Sequence, residues 1–375
     1  MTARTPLLPA PVRDEWFLAV SAATALAFLV SGGALLGGLS SPPWLALVFL
    51  WLFAAVLGSA LCVVRHAERL AVRLGEPYGT LILTLSITFI EVMSISAVML
   101  HGENNPTLAR DTVFAVVMIV LNGMVGLSLL LGGWRHREQH YNLQGANAYL
   151  GVIIPLVVLS LLLPDYTQTT PGPTLSFAQE GFLVLVAVGL YAAFLAIQTG
   201  RHSGYFREED EAAAVGHAAQ AGEAPPPLAR HAALLVAYLV PVVFLAEQLA
   251  HPVDYLIETL RAPAPLGGVI VAVLVATPEA VGAARAALAN HMQRSVNIFL
   301  GSVLSTIGLT VPAMVLIGHA IGRDVVLGVE HTDLVLLLLT LAVSVVTFAS
   351  GHTNVVQGAV HLVLFAAYLL LIVQG

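Results

Sequence analysis

Apolar runs of about twenty residues, each long enough to cross a bilayer as a helix, alternate with short polar breaks along almost the whole chain. The pattern predicts eleven spans. They run from about Trp16 to Leu36, Trp44 to Val64, Pro77 to Leu100, Thr112 to Leu131, Ala146 to Leu163 and Phe177 to Ile197. After a break they resume from about His231 to Ala250, Leu266 to Ala287, Val296 to Gly318, Leu334 to Phe348 and Val355 to Val373. The break, Gly200 to Ala229, is rich in Ala, Gly, Pro and acids and includes Glu208, Glu209, Asp210 and Glu211. That composition suits a solvated linker rather than a packed element. The first span follows Arg4 and Arg13 and could be read as a leader; it is expected to be a retained helix.

Two of the runs carry an acid where lipid would make it costly. The third, from Gly75 to Leu100, holds Glu91 near its middle, and the eighth, from Gly267 to Ala284, holds Glu279. A charge at such depth is by default a functional-site hypothesis. Glu91 follows Gly79 by twelve positions and Glu279 follows Gly267 by twelve, so the device repeats. Upstream, Ala67-Glu68-Arg69-Leu70-Ala71 matches Ala246-Glu247-Gln248-Leu249-Ala250. Downstream, Asn122-Gly123 and Gly126 in the fourth span answer Gly301-Ser302 and Ser305-Thr306 in the ninth. Spans two to six and seven to eleven therefore form two halves of five. An odd number makes the halves enter the membrane from opposite sides, and transporters built this way place their site where the halves meet. Pro278, directly before Glu279, predicts a break in the eighth span.

The composition agrees: 58% of the 375 residues are hydrophobic and 10% charged, against about 25% charged in a soluble domain. The fold class expected is an all-α polytopic membrane protein. Its segments are residues 1–40 (tail and first helix), 41–199 (first repeat), 200–229 (acidic cytoplasmic linker) and 230–375 (second repeat). Every one of the 15 basic residues is arginine, and twelve of them fall on one side of the predicted topology. By the positive-inside rule the N-terminus is cytoplasmic and the C-terminus outside. The formal net charge of -7 owes much to the linker acids. One cysteine, Cys62, excludes a disulfide framework or a cysteine-held metal cluster.

Carboxylate, amide and hydroxyl oxygens are hard ligands suited to Ca²⁺ or alkali cations. The candidate cation ligands are Glu91, Glu279, Asn122, Ser302, Ser305 and Thr88. Thr84, Thr88 and Glu91 share one helix face, as do Ser302, Ser305 and Thr306. Two carboxyl groups close together in low dielectric also bind protons readily, so protons and cations would compete for them. Glu68 and Glu247, near span ends, are either solvated interfacial charges or a proton path or gate. Gly123, Gly126 and Gly301 fit close helix packing. The histidines, His361 in the eleventh span among them, read as packing or interfacial. No HExxH, GxSxG, Walker A or nucleotide fingerprint is present, so an enzyme is not expected. A passive channel using the same acids remains the rival reading.

The stretches GEPYGTLILTLSITFIE, ATPEAVGAARAALA and NIFLGSVLSTIGLTVP resemble ChaA-type cation/proton antiporters of the calcium:cation antiporter superfamily, and the resemblance spans nearly the whole chain. It implies a sodium/calcium exchanger-type fold of two inverted membrane repeats, each supplying one acid to the transported cation. Glu91 and Glu279 stand at those positions. Calcium/proton exchangers of the superfamily carry Gly-Asn shortly before the acid, where this chain has Ile87-Thr88 and Val275-Ala276. The resemblance thus implies Na⁺/H⁺, K⁺/H⁺ or Ca²⁺/H⁺ exchange in the bacterial inner membrane without choosing among them. It implies no cofactor and no nucleic acid; the partners are membrane lipid, transported cations and protons, with the oligomeric state open.

Overall fold

The computed structural model describes residues 15–75, 78–101, 106–207, 228–323 and 325–374. The linker acids fall outside them. Among the described residues the chain forms eleven long helices: α1 (Trp16–Gly37), α2 (Pro42–Leu74), α3 (Tyr78–His101), α4 (Leu108–His136), α5 (Leu143–Tyr166), α6 (Phe177–Thr199), α7 (Leu228–Thr259), α8 (Pro265–Leu288), α9 (Met292–Ile321), α10 (His331–Thr347) and α11 (Val355–Gln374). Ten are long and apolar enough to cross a membrane, and α10, at 17 residues, is shorter. The helix starts carry the expected signals. Pro42 opens α2 and Pro265 opens α8. Asn142 caps α5 through the backbone N–H groups of Gln144 and Gly145, and Ser176 with Gln179 forms a capping box at α6.

Large apolar side chains such as Leu29, Val30, Leu185, Val335 and Val363 point outward, as lipid solvent requires. α4 and α9 are the most enclosed spans, 83% and 72% buried. They pack against each other, and α4 also lies along α8 and α11. Around them, α2 crosses its repeat counterpart α7, α3 packs on α8, and α1 lies against α2 and α7. A Cβ on Gly126 would lie 3.0 Å from the carbonyl oxygen of Gly358, and one on Gly358 would lie 2.6 Å from the nitrogen of Leu130. The two glycines thus let α4 and α11 meet backbone to backbone.

Two expectations are corrected. α2 continues ten residues past its expected end at Val64. Arg65, Glu68, Arg69 and Arg73 end the apolar run there without carrying any helix-breaking residue, so the helix continues past it. The break expected at Pro278 is absent, and α8 is continuous through it. A proline removes one ladder bond but leaves the flanking ones, and Thr277 Oγ1 donates to the Val273 carbonyl at 2.5 Å beside it. The irregularities lie elsewhere, in π turns at Ile119–Met124 of α4, Val158–Leu162 of α5, Tyr255–Thr259 of α7 and Thr306–Thr310 of α9. Such bulges often mark functional positions.

Candidate functional site

Glu91 is 1% exposed on α3. An isolated carboxylate there would be prohibitive, and two hydroxyls of the facing helix meet it. Thr310 Oγ1 donates to Glu91 Oε2 at 2.7 Å, and Thr306 Oγ1 to the same oxygen at 3.2 Å. Both threonines belong to the π turn of α9. Glu279, partly buried on α8, accepts a hydrogen bond from Ser302, one turn earlier on α9. The two glutamates are near enough for the charge of Glu91 to act on Glu279. A ladder of hydroxyls on α9, Ser302–Thr306–Thr310, thus spans both acids.

Unpartnered oxygens line the same face of α3. Glu91 Oε1, Thr88 Oγ1 and Ser94 Oγ are buried with no hydrogen-bond partner among the described residues. They recur at three-residue spacing and so share one side of the helix. A buried oxygen without a donor costs about 1–3 kcal/mol. A set of them beside a carboxylate is suited to a cation or a proton.

The other candidate residues go elsewhere. Asn122 is fully buried: its Nδ2 donates to Thr340 Oγ1 of α10 at 2.9 Å, and its Oδ1 faces His361 Nδ1 of α11 at 3.3 Å. His361 Nε2 in turn meets Thr347 Oγ1 at 2.9 Å. The side chain ties α4 to the two last helices, and a ligand role for its Oδ1 would compete with His361. His361 is the hub of that tie rather than mere packing. Ser305 Oγ donates to the Ser302 carbonyl at 3.0 Å, the local back-bonding open to any helical serine. Thr84 meets Tyr191 of α6. Glu68 is exposed, Glu247 half-buried. Thr310 escaped sequence reading; it lies four residues after Thr306, itself four after Ser302.

The sodium/calcium exchanger protein family matches residues 44–200 and 230–374. A protein of Sinorhizobium fredii is 44% identical over 333 residues, 88% of this chain and 89% of its own length. The sodium-potassium/proton antiporter ChaA of Escherichia coli is 40% identical over 321 residues, 84% of this chain and 86% of its own. Among solved structures, native YfkE superposes with a TM-score of 0.74 at 20% identity, covering 96% of this chain and 100% of that one; that likeness bears on the fold.

Proposed function

Because this chain belongs to the sodium/calcium exchanger protein family, within the calcium:cation antiporter superfamily, we propose that it is a secondary active cation/proton antiporter. It works by alternating access, with Glu91 and Glu279 shared in turn by the cation and the proton. One observation carries the reading: two acids from repeat-related helices reach one ladder of hydroxyls on α9, and a buried Glu91 oxygen has no partner among the described residues. Hard oxygens bind Na⁺, K⁺ or Ca²⁺. The kinship with an antiporter named for sodium, potassium and protons favours the monovalent ions, and Ca²⁺ suits the same donors.

In the cation-bound step, both carboxylates are ionised and the hydroxyls turn their oxygens or protons as charge requires. In the proton-bound step each carboxyl group carries its own proton and keeps a donor hydrogen bond, so the pair is neutral, as it is with one Ca²⁺ or with two monovalent cations; a single monovalent cation leaves it one charge negative. The arginine distribution favours an N-terminus in the cytoplasm of a bacterial inner membrane and a C-terminus outside. Cation would then leave as protons enter. Glu68 and Glu247 remain proposals for a path or gate.

The test uses inside-out vesicles with an acid interior. Adding Na⁺, K⁺ or Ca²⁺ collapses the proton gradient with the wild-type chain and leaves it standing with Glu91→Gln or Glu279→Gln, both inserted at normal levels. Normal exchange by either variant would remove the shared-carboxylate mechanism. A sustained cation current without proton movement would favour the channel.

A further inference from the structure

Away from the carboxylate pair, a second set of titratable side chains is buried where α1, α2 and α7 meet. Glu15, at the start of α1, uses one carboxylate oxygen three times. Its Oε2 accepts from Arg65 Nη2 at 2.6 Å and from the Tyr238 hydroxyl at 3.1 Å, and lies 3.2 Å from His66 Nε2. Its Oε1 is buried without a partner among the described residues. His66 is fully buried, and its Nδ1 lies 3.1 Å from Nδ1 of His231, which is 3% exposed. The His66 ring also stacks on Tyr238, and Tyr238 hydrogen-bonds Cys62. Each half of the molecule and the first helix contribute to this one cluster.

The geometry fixes where protons can be. His66 Nε2 lies 3.2 Å from the Glu15 carboxylate and 3.4 Å from Arg65 Nη2, and hydrogen on Nε2 serves the nearer, charged acceptor, to which Arg65 also donates. Between the two facing Nδ1 atoms there is room for one proton. With both rings neutral, His231 donates it to His66, and the contacts of His66 with Glu15 and His231 are both satisfied. With both rings charged, two N–H groups point at each other across 3.1 Å and neither can accept. Electrostatics adds to this. His66 faces Glu15 from α1, Arg65 from its own helix and His231 from α7; His231 faces Arg69 and Arg73 of α2, Arg230 of its own helix and Glu15. Tyr238 and Cys62 complete the titratable set and are uncharged as thiol and phenol. Four arginines against a single carboxylate oppose a pair of imidazolium rings.

We infer that the His66–His231 pair, held by Glu15, is a proton-operated latch between α2 and α7: neutral rings hold the two helices together at this end, and acidification of this face parts them. The group that changes charge is imidazole, and burial and the surrounding arginines confine that change to the acid side of its ordinary range. The effect on transport rests on the antiport reading. The opening of the latch does not.

Cys62 is the chain's one cysteine and reports the cluster directly. The full-length protein, purified into lipid nanodiscs, is alkylated with a small neutral maleimide between pH 5.5 and 8.5. Each rate is divided by that of the unfolded chain at the same pH, which cancels thiol ionisation. The expected result is protection that falls about tenfold on acidification, the scale of one lost buried hydrogen bond. His66→Gln and His231→Gln flatten the profile. Protection that is flat with pH in the wild type, or an unchanged step in both variants, overturns the latch. The wild-type profile decides even if one variant fails to fold. In vesicles, the pH of the Arg65 face is then stepped with the other face held constant. Exchange that loses its imidazole-range step in His66→Gln supports coupling of the latch to transport. Exchange that keeps the step restricts the latch to a structural role and overturns its regulatory part. A chain that exchanges no cation at all sinks the antiport reading and leaves the Cys62 result standing.

Discussion

Replacing Thr310 by valine removes one hydroxyl and keeps both the branching and the size of the side chain. The lost contact is the shorter of the two that Glu91 receives, 2.7 Å against 3.2 Å from Thr306, and Thr310 is fully buried, so water cannot take its place. A hydrogen bond to a charged group contributes about 1.5–3 kcal/mol and one to a neutral group about 0.5–1.5 kcal/mol. The ionised carboxylate needed for cation binding therefore loses more than the protonated carboxyl group does, by about 1–1.5 kcal/mol. At constant pH this weakens apparent cation affinity about five- to thirteenfold. The assay is the cation concentration giving half-maximal collapse of a preset proton gradient in inside-out vesicles. Thr306→Val, at the longer distance, moves it less. Ser305→Ala, whose hydroxyl is spent on a backbone carbonyl, leaves it within about twofold. An unmoved half-saturation in Thr310→Val at equal protein level, or a larger shift in Ser305→Ala, would refute the hydroxyl ladder.

Asn122→Leu leaves Thr340 and His361 without their buried partner and costs about 1–3 kcal/mol, so the thermal midpoint in detergent falls while half-saturation for the cation holds. A shift in half-saturation without loss of stability would return Asn122 to the ligand set. Gly358→Ala drives a Cβ to 2.6 Å from the Leu130 nitrogen and 2.9 Å from the Gly126 carbonyl oxygen. Overpacking of that kind costs about 1–3 kcal/mol, and a thermal midpoint equal to that of the wild type would contradict the close α4–α11 approach.

Much of this was readable before any coordinates. Spans separate cleanly because lipid leaves only helices as solutions, and Glu91 and Glu279 stand out as acids within apolar runs. Ser302 was legible from its place in the repeat. For Asn122, composition tells which atoms can ligate, not which way they face. Its neighbours across the bundle, Thr340 and His361, come from residues more than two hundred positions away in sequence. Thr310 was hidden by a different cause. Side chains four apart on an α-helix drift about 40°, so Ser302, Thr306 and Thr310 should fan out. The π turn at Thr306–Thr310 winds more loosely and takes some of that drift back. Sequence periodicity assumes one helix type throughout and cannot register such a change of pitch. Pro278 failed in the opposite sense, since a missing amide hydrogen was read as a fracture and the helix absorbed it.

The asymmetry of the two π turns has an evolutionary consequence. In α9 the turn presents Thr306 and Thr310 to Glu91, whereas in α4 the corresponding turn holds Asn122, which ties α4 to α10 and α11. The two turns do different work, although each half supplies one of the two acids. The halves are therefore no longer spare parts for each other. A chain made of residues 230–374 joined to itself would own two donor ladders and no Asn122 for Thr340 and His361 to hold, and one made of residues 44–200 twice would own two Asn122 side chains with neither partner and no ladder.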